Sequence, residues 1–144
     1  MRKHKASAKF VPEPVIELSG HSRIGVVTLG GCDGAVREAL DILESRGIQT
    51  NFMRIRGFPF DESVEEFLES NDVNFIVEQN RDAQLRALLT LETGIAKEKL
   101  RSILVYGGFP LSAKHVIEGI ASQLEGVDEQ PEVVRAIGRV QLEE

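Results

Sequence analysis

From Arg23 onward, short apolar runs alternate with stripes of apolar residues at helical spacing. Ile24-Gly25-Val26-Val27-Thr28-Leu29 is a nearly continuous β-prone run ending in Gly30-Gly31, the pattern of a strand covered on both faces. Asp33 then reads as the cap of a helix whose Val36, Ala39, Leu40 and Leu43 fall at i, i+3, i+4 and i+7, closed by Gly47. Ile48 to Arg56 predicts a second strand and Gly57-Phe58-Pro59-Phe60 a turn. Asp61 begins a short helix that turns Val64, Phe67 and Leu68 inward and stops near Asn71. Val73 to Val77 predicts a third strand, after which Asn80 or Asp82 starts a helix burying Leu85, Leu88 and Leu89 before Gly94. Ile95 to Leu100 reads as a short helical or turn segment, and Ser102 to Tyr106 as a fourth strand broken by Gly107-Gly108. Ser112 caps a helix with Val116, Ile117, Ile120 and Leu124 on one face, ended by Gly126. Pro131 opens a last amphipathic helix with Val134, Ile137 and Val140.

Strands and helices alternating in this way imply right-handed βαβ units and a parallel sheet with helices on both faces, an α/β class. Val15 to Leu18 is a candidate edge strand. The organisation expected is a basic, proline-containing linker over 1–14, one α/β domain over 15–126, and a helix over 127–144 packed on that domain or extending it. Sheets of this kind bind ligands at the carboxyl ends of their strands, near a reversal in strand order.

A length of 144 residues fits one domain, large enough to hide roughly 70% of its unfolded surface. The single cysteine excludes an intramolecular disulfide and any Cys-rich zinc or iron–sulfur site, and His4, His21 and His115 have no ligand spacing. No apolar run approaches the roughly 18–20 residues of a membrane helix and no signal-peptide core follows Met1, so a reducing cytoplasmic setting and no membrane partner are expected. The net charge of −6 is uneven. Arg2, Lys3, Lys5 and Lys9 carry four of the 17 basic charges, leaving 13 bases against 23 acids, a balance of −10, over residues 10–144. An acid excess of that size argues against a nucleic-acid groove.

Candidate chemistry lies at the predicted strand ends. In Gly30-Gly31-Cys32-Asp33-Gly34, small residues at a helix start let backbone N–H groups approach an anion. The spacing is neither G-x-G-x-x-G nor a P-loop, and Asp33 puts a carboxylate where a phosphate would sit. Cys32 lies beside that helix start, where a thiol pKa can fall, but Cys-x5-Arg and Cys-x-x-Cys are both absent. Arg54 and Arg56 project to one side of the second strand and can grip a carboxylate or phosphate, or pair with an acid of a neighbouring subunit. Glu78-Gln79-Asn80-Arg81-Asp82-Ala83-Gln84 packs six polar residues into seven; capping and interface contacts account for Glu78, Asn80, Arg81 and Asp82 without catalysis.

Three segments, taken in order, resemble a known family. They are Gly25 to Leu40, Met53-Arg54-Ile55-Arg56-Gly57-Phe58-Pro59-Phe60, and Phe75 to Arg86, of which the Glu78-to-Arg86 stretch is the most specific. Together they look like the carboxyl-terminal domain of the alpha subunit of 2-oxoacid:ferredoxin oxidoreductases, closest to the 2-oxoglutarate branch, over residues 10–120. The resemblance implies a transketolase carboxyl-terminal-like fold, a three-layer α/β/α domain with a mostly parallel five-strand sheet and one antiparallel edge strand. It also implies an assembled enzyme that oxidatively decarboxylates a 2-oxo acid to acyl-CoA with thiamine diphosphate, magnesium, coenzyme A and iron–sulfur clusters, passing electrons to ferredoxin. The thiamine-diphosphate signature, Gly-Asp-Gly followed by paired Asn, is absent, Cys32-Asp33-Gly34 being the nearest string. No catalytic, cofactor or metal residue therefore carries over. The expected role is packing against other alpha-subunit domains and the beta subunit, with a homodimer possible and the isolated chain inactive. A domain apart from its partners should expose an apolar patch, on helix 131–142 or at the strand ends. The rival readings are a free-standing flavodoxin-like module that binds a small anion, and a small enzyme with Cys32 as nucleophile.

Overall fold

The computed structural model describes residues 7–124. Five strands, β1 (Val15–Glu17), β2 (Ile24–Leu29), β3 (Asn51–Ile55), β4 (Val73–Glu78) and β5 (Leu100–Leu104), form one sheet in the order β1-β3-β2-β4-β5. β1 alone runs antiparallel, pairing Val15 with Arg54 and Glu17 with Phe52; the other pairs are parallel. The helices are α1 (Asp33–Ser45), α2 (Glu62–Ser70), α3 (Gln84–Thr93) and α4 (Ala113–Leu124). The three-layer architecture and the antiparallel edge strand are as the resemblance implies. The chain steps from β2 to β3 on one side and returns to β4 on the other, so strand order reverses between β2 and β4.

Alternation along the strands divides the core. Val26, Phe52, Phe75 and Val77 meet Val36, Ala39 and Leu43 of α1 and Val116, Ile120 and Leu124 of α4 on one face. Val27, Met53 and Ile76 meet Val64, Phe67 and Leu68 of α2 and Leu85 and Leu89 of α3 on the other. Both faces of the central strands are therefore dry, which is why they read as continuous apolar runs rather than alternating ones. Phe75, Leu43 and Met53 are fully buried, each contributing roughly 1.5–3 kcal/mol by leaving water.

The amino-terminal edge of the sheet is closed by three buried asparagines. Asn51 Nδ2 donates to Asn71 Oδ1 (2.9 Å) and Ser22 O (2.9 Å), while its Oδ1 accepts from Ser19 N (3.0 Å). Asn71 Nδ2 donates to Asn74 Oδ1 (3.0 Å) and Phe67 O (2.9 Å), and Asn74 Nδ2 to Leu68 O (3.0 Å). Gly25 makes room for this ladder, since a Cβ there would collide with the Asn74 and Asn71 amides and meet the Phe67 ring.

Several element bounds differ from the sequence reading. β5 occupies Leu100–Leu104 instead of 102–106 because Arg101 is tolerated on an outermost strand, where it lies half-buried with its guanidinium on Gln123 O (2.9 Å). Asp33 is the first residue of α1 with no side-chain cap, and α3 begins at Gln84 instead of at Asn80 or Asp82. β3 starts at Asn51, not Ile48; Ile48 packs in the core under α1. Within the expected linker, residues 8–10 form a 3-10 turn and Val11 packs against Gly57, where a Cβ would collide with it. The helix expected over 127–144 lies outside the described residues.

Candidate functional site: the carboxyl edge of the sheet

At the reversal point, the turn after β2 and the loop after β4 face each other. Gly30–Cys32 forms a 3-10 turn that runs directly into α1. Cys32 is buried, and its thiol donates toward Gln79 Oε1 at 3.8 Å, joining the two loops. Burial pushes the thiol pKa up, outweighing downward pulls from Thr28 and the Gln79 backbone, and the Glu78 carboxylate adds a smaller upward push. The helix-start effect expected to favour a thiolate is thus outweighed by desolvation. A neutral, covered thiol has neither the charge nor the access of a nucleophile.

Asp33 faces the other way and anchors an ion-pair chain. Both its oxygens accept from Arg37 Nε at 3.2 Å, and Arg54 Nη1 lies 3.9 Å from Oδ2. Arg37 reaches on to Glu17 of β1 (2.9 Å), with its guanidinium carbon 4.6 Å from the Phe52 ring centroid. Arg54 therefore pairs with an acid of its own chain, where a neighbouring subunit's acid was one expectation. Arg56 lies one residue past the end of β3 and is exposed. Gly30, Gly31 and Gly34 leave open space above the turn, and the Asp33 carboxylate beside it is paired with Arg37 and Arg54.

The polar loop after β4 is spent on α3. Glu78 is buried, and its Oε1 accepts from Leu85 N (2.6 Å) and Asn80 Nδ2 (2.9 Å) while Oε2 accepts from Arg86 N (3.2 Å). Asn80 Oδ1 accepts from Gln84 N at 3.3 Å. The first three amides of α3 are thus satisfied from residues four to eight positions upstream, one by the Asn80 amide oxygen and two by a carboxylate that also complements the helix dipole. The residue in the usual cap position, Ala83, offers no side-chain acceptor and sits at φ +50°, a left-handed conformation costly for alanine. Arg81 and Asp82 form an exposed pair at 3.0 Å.

The sequence reading missed Arg37, the hub of the ion-pair chain; its signal was the i,i+4 spacing from Asp33. It also did not single out the apolar side chains that rim this edge. Leu29, the last residue of β2, and Phe58, Tyr106 and Phe109, which follow the ends of β3 and β5, are 45%, 41%, 60% and 75% exposed. Val11 on Gly57 brings the amino-terminal segment to the same edge, with Phe10 exposed beside it. Among the described residues, no group of three or more His, Cys, Asp or Glu could hold a metal ion, and no helix is long and apolar enough to cross a membrane. With Asp33 committed to two arginines, the described residues do not fit a magnesium diphosphate.

No family model matches the chain. It is 30% identical over 130 residues, 87% of its length, to the 2-oxoacid:ferredoxin oxidoreductase subunit alpha of Saccharolobus solfataricus, of which it covers 20%. The 2-oxoacid:ferredoxin oxidoreductase 2 subunit alpha of Aeropyrum pernix is 30% identical over 134 residues, 90% of this chain and 21% of that one. The chain thus spans about a fifth of the length of the curated relatives it matches. Among solved structures, 2-oxoglutarate:ferredoxin oxidoreductase from Magnetococcus marinus, with 2-oxoglutarate, coenzyme A and succinyl-CoA bound, superposes over 81% of this chain and 20% of its own (TM-score 0.72, 23% identity), which speaks to fold alone. The alpha chain of a probable 2-oxoacid ferredoxin oxidoreductase from Thermoplasma acidophilum is 27% identical and is covered to 97% of its length by 78% of this chain (TM-score 0.54). A split-gene transketolase, an inactive beta4 tetramer, shares the fold (TM-score 0.59, 16% identity, 88% of this chain and 40% of that one). The chain is therefore similar, over nine-tenths of its length, to one segment of the alpha subunits of 2-oxoacid:ferredoxin oxidoreductases, on a transketolase-like α/β fold.

Proposed function

We propose that this chain is a non-catalytic packing domain of a 2-oxoacid:ferredoxin oxidoreductase, the counterpart of the carboxyl-terminal domain of the alpha subunit in a thiamine-diphosphate-dependent enzyme of the 2-oxoglutarate type. In that reading its partners are the other alpha-subunit domains and the beta subunit, ferredoxin accepts electrons from the assembled complex, and the isolated chain is inactive. The single observation that carries the reading is the composition of the carboxyl edge. The polar side chains there serve caps, ion pairs and a covered thiol, while Leu29, Phe58, Tyr106 and Phe109 stand in solvent around them. Spent polar groups and exposed apolar ones suit a protein interface better than a reaction centre. The cofactors would carry the chemistry elsewhere in the assembly; this domain would hold its neighbours in place.

The test is calorimetric titration of the full chain with thiamine diphosphate and magnesium, coenzyme A, and 2-oxoglutarate, together with a ferredoxin-reduction assay. The expected result is no heat of binding at millimolar ligand and no reduction. Micromolar binding of any of these, or turnover, overturns the proposal. Tyr106→Ser/Phe109→Ser supplies the positive arm: it should abolish co-purification with the co-expressed remaining alpha and beta chains while leaving the melting temperature of the isolated chain within about 2 °C.

A further inference from the structure

Among the described residues β5 is an outermost strand, and its outer side should be a template for strand addition. Backbone groups of a strand point alternately to its two sides. Val105 N donates to Glu78 O of β4 (3.0 Å), so alternate residues from Val105 back face the sheet, and Leu100, Ser102 and Leu104 face outward. Two of these three outward carbonyls are already taken. Arg86 Nε of α3 donates to Leu100 O at 2.7 Å, and Gln123 Nε2 of α4 donates to Ser102 O at 2.8 Å. The two donors come from opposite layers and close over the same edge. Arg86 is held by a second bond to Lys97 O (3.4 Å), and Gln123 by Arg101, whose Nη1 donates to Gln123 O at 2.9 Å. The other edge is handled differently: β1 has only three residues, and Glu17 on it is paired with Arg37.

We infer that Arg86 and Gln123 are a pair of side-chain guards that keep β5 from pairing with the β5 of a second copy of this chain. Without them, Leu100 O and Ser102 O become free acceptors for the N–H groups of an incoming strand. The inference is independent of the proposed function, since it concerns the side of the sheet and not its carboxyl end.

Sedimentation velocity on the full-length chain tests it, comparing Arg86→Ala/Gln123→Ala with the parent and adding Ser102→Pro to each. Proline at position 102 removes only an outward-facing N–H and so is compatible with the β4–β5 ladder while blocking strand addition. The expected result is self-association strengthened about tenfold in the double variant and returned to the parental value by Ser102→Pro. Gln123→Ala alone, which frees one carbonyl, should strengthen association about threefold with the same reversal, and it decides the matter if the double variant does not melt cooperatively. A folded guard-deleted variant that associates no more than the parent, or association that survives Ser102→Pro, overturns the inference; the second outcome would assign the contact to the apolar rim.

Discussion

The two ends of the sheet spend their polar groups in opposite ways. At the amino end, Asn51, Asn71 and Asn74 are buried and bonded to one another and to backbone, with Gly25 cleared of a side chain to admit them. At the carboxyl end, one buried carboxylate and one ion-pair chain hold two helix starts in place, and apolar side chains face solvent. Satisfied amides in a dry setting specify one arrangement, because each lost partner leaves a desolvated group behind. The amino end is thus a lock on the fold, and the carboxyl end is a surface held rigid for something else to meet.

Variants that damage one end should separate the two roles. The largest effect is expected from Gly25→Ala, whose methyl would enter the asparagine ladder: about 3 kcal/mol of stability, or roughly 10 °C in Tm by calorimetry. A loss under about 1 kcal/mol would mean the ladder yields, and the contrast between the ends would fail. Next comes Glu78→Ala, which strips the caps from α3; about 2 kcal/mol should be lost in a urea titration, with α3 amides exchanging faster than those of α1. Ala83→Gly runs the other way. Relief of the left-handed alanine should raise stability by about 0.5–1 kcal/mol, and a loss would show that the Ala83 methyl contributes packing that outweighs the strain.

The smallest effect concerns pH. The Arg23 guanidinium, 2.8 Å away, holds the Asp72 carboxyl below its ordinary value. A carboxyl lowered on folding contributes stability that is fully present above its unfolded pKa of about 3.9 and is lost as pH falls through the folded value. The deficit of Asp72→Asn relative to the parent should therefore be constant from pH 5 to 8 and shrink below about pH 4. Both side chains are more than half exposed, so the deficit should be small and should diminish in high salt. A deficit that grows on acidification would contradict the pairing.

What the sequence disclosed follows from the range of each signal. Periodicity is local, and it located four parallel strands and four helices with errors of up to four residues at element ends. Those errors have tertiary causes: Arg101 sits in β5 because Gln123 receives it, and Ile48 reads as strand because the core wants it under α1. The candidate site was legible as residues but not as roles. Asp33 looked like a cap and is an ion-pair anchor; the cap of α3 is Glu78, at the far side of a loop whose course no spacing rule supplies. The asparagine ladder was invisible for the same reason, since Asn51 lies twenty residues before Asn71 in sequence and joins the local Asn71–Asn74 pair only once β2 and β3 are in the sheet.

The buried thiol has a practical corollary. Because the sequence contains one cysteine and Cys32 lies covered beneath the first turn, a thiol reagent can attack only when the contact between that turn and Gln79 opens. Its alkylation half-life is therefore a built-in clock for breathing at the carboxyl edge, readable on the unlabelled wild-type chain. A partner seated on that edge would slow the clock, so the binding surface can be mapped by the arrest of one reaction at one atom.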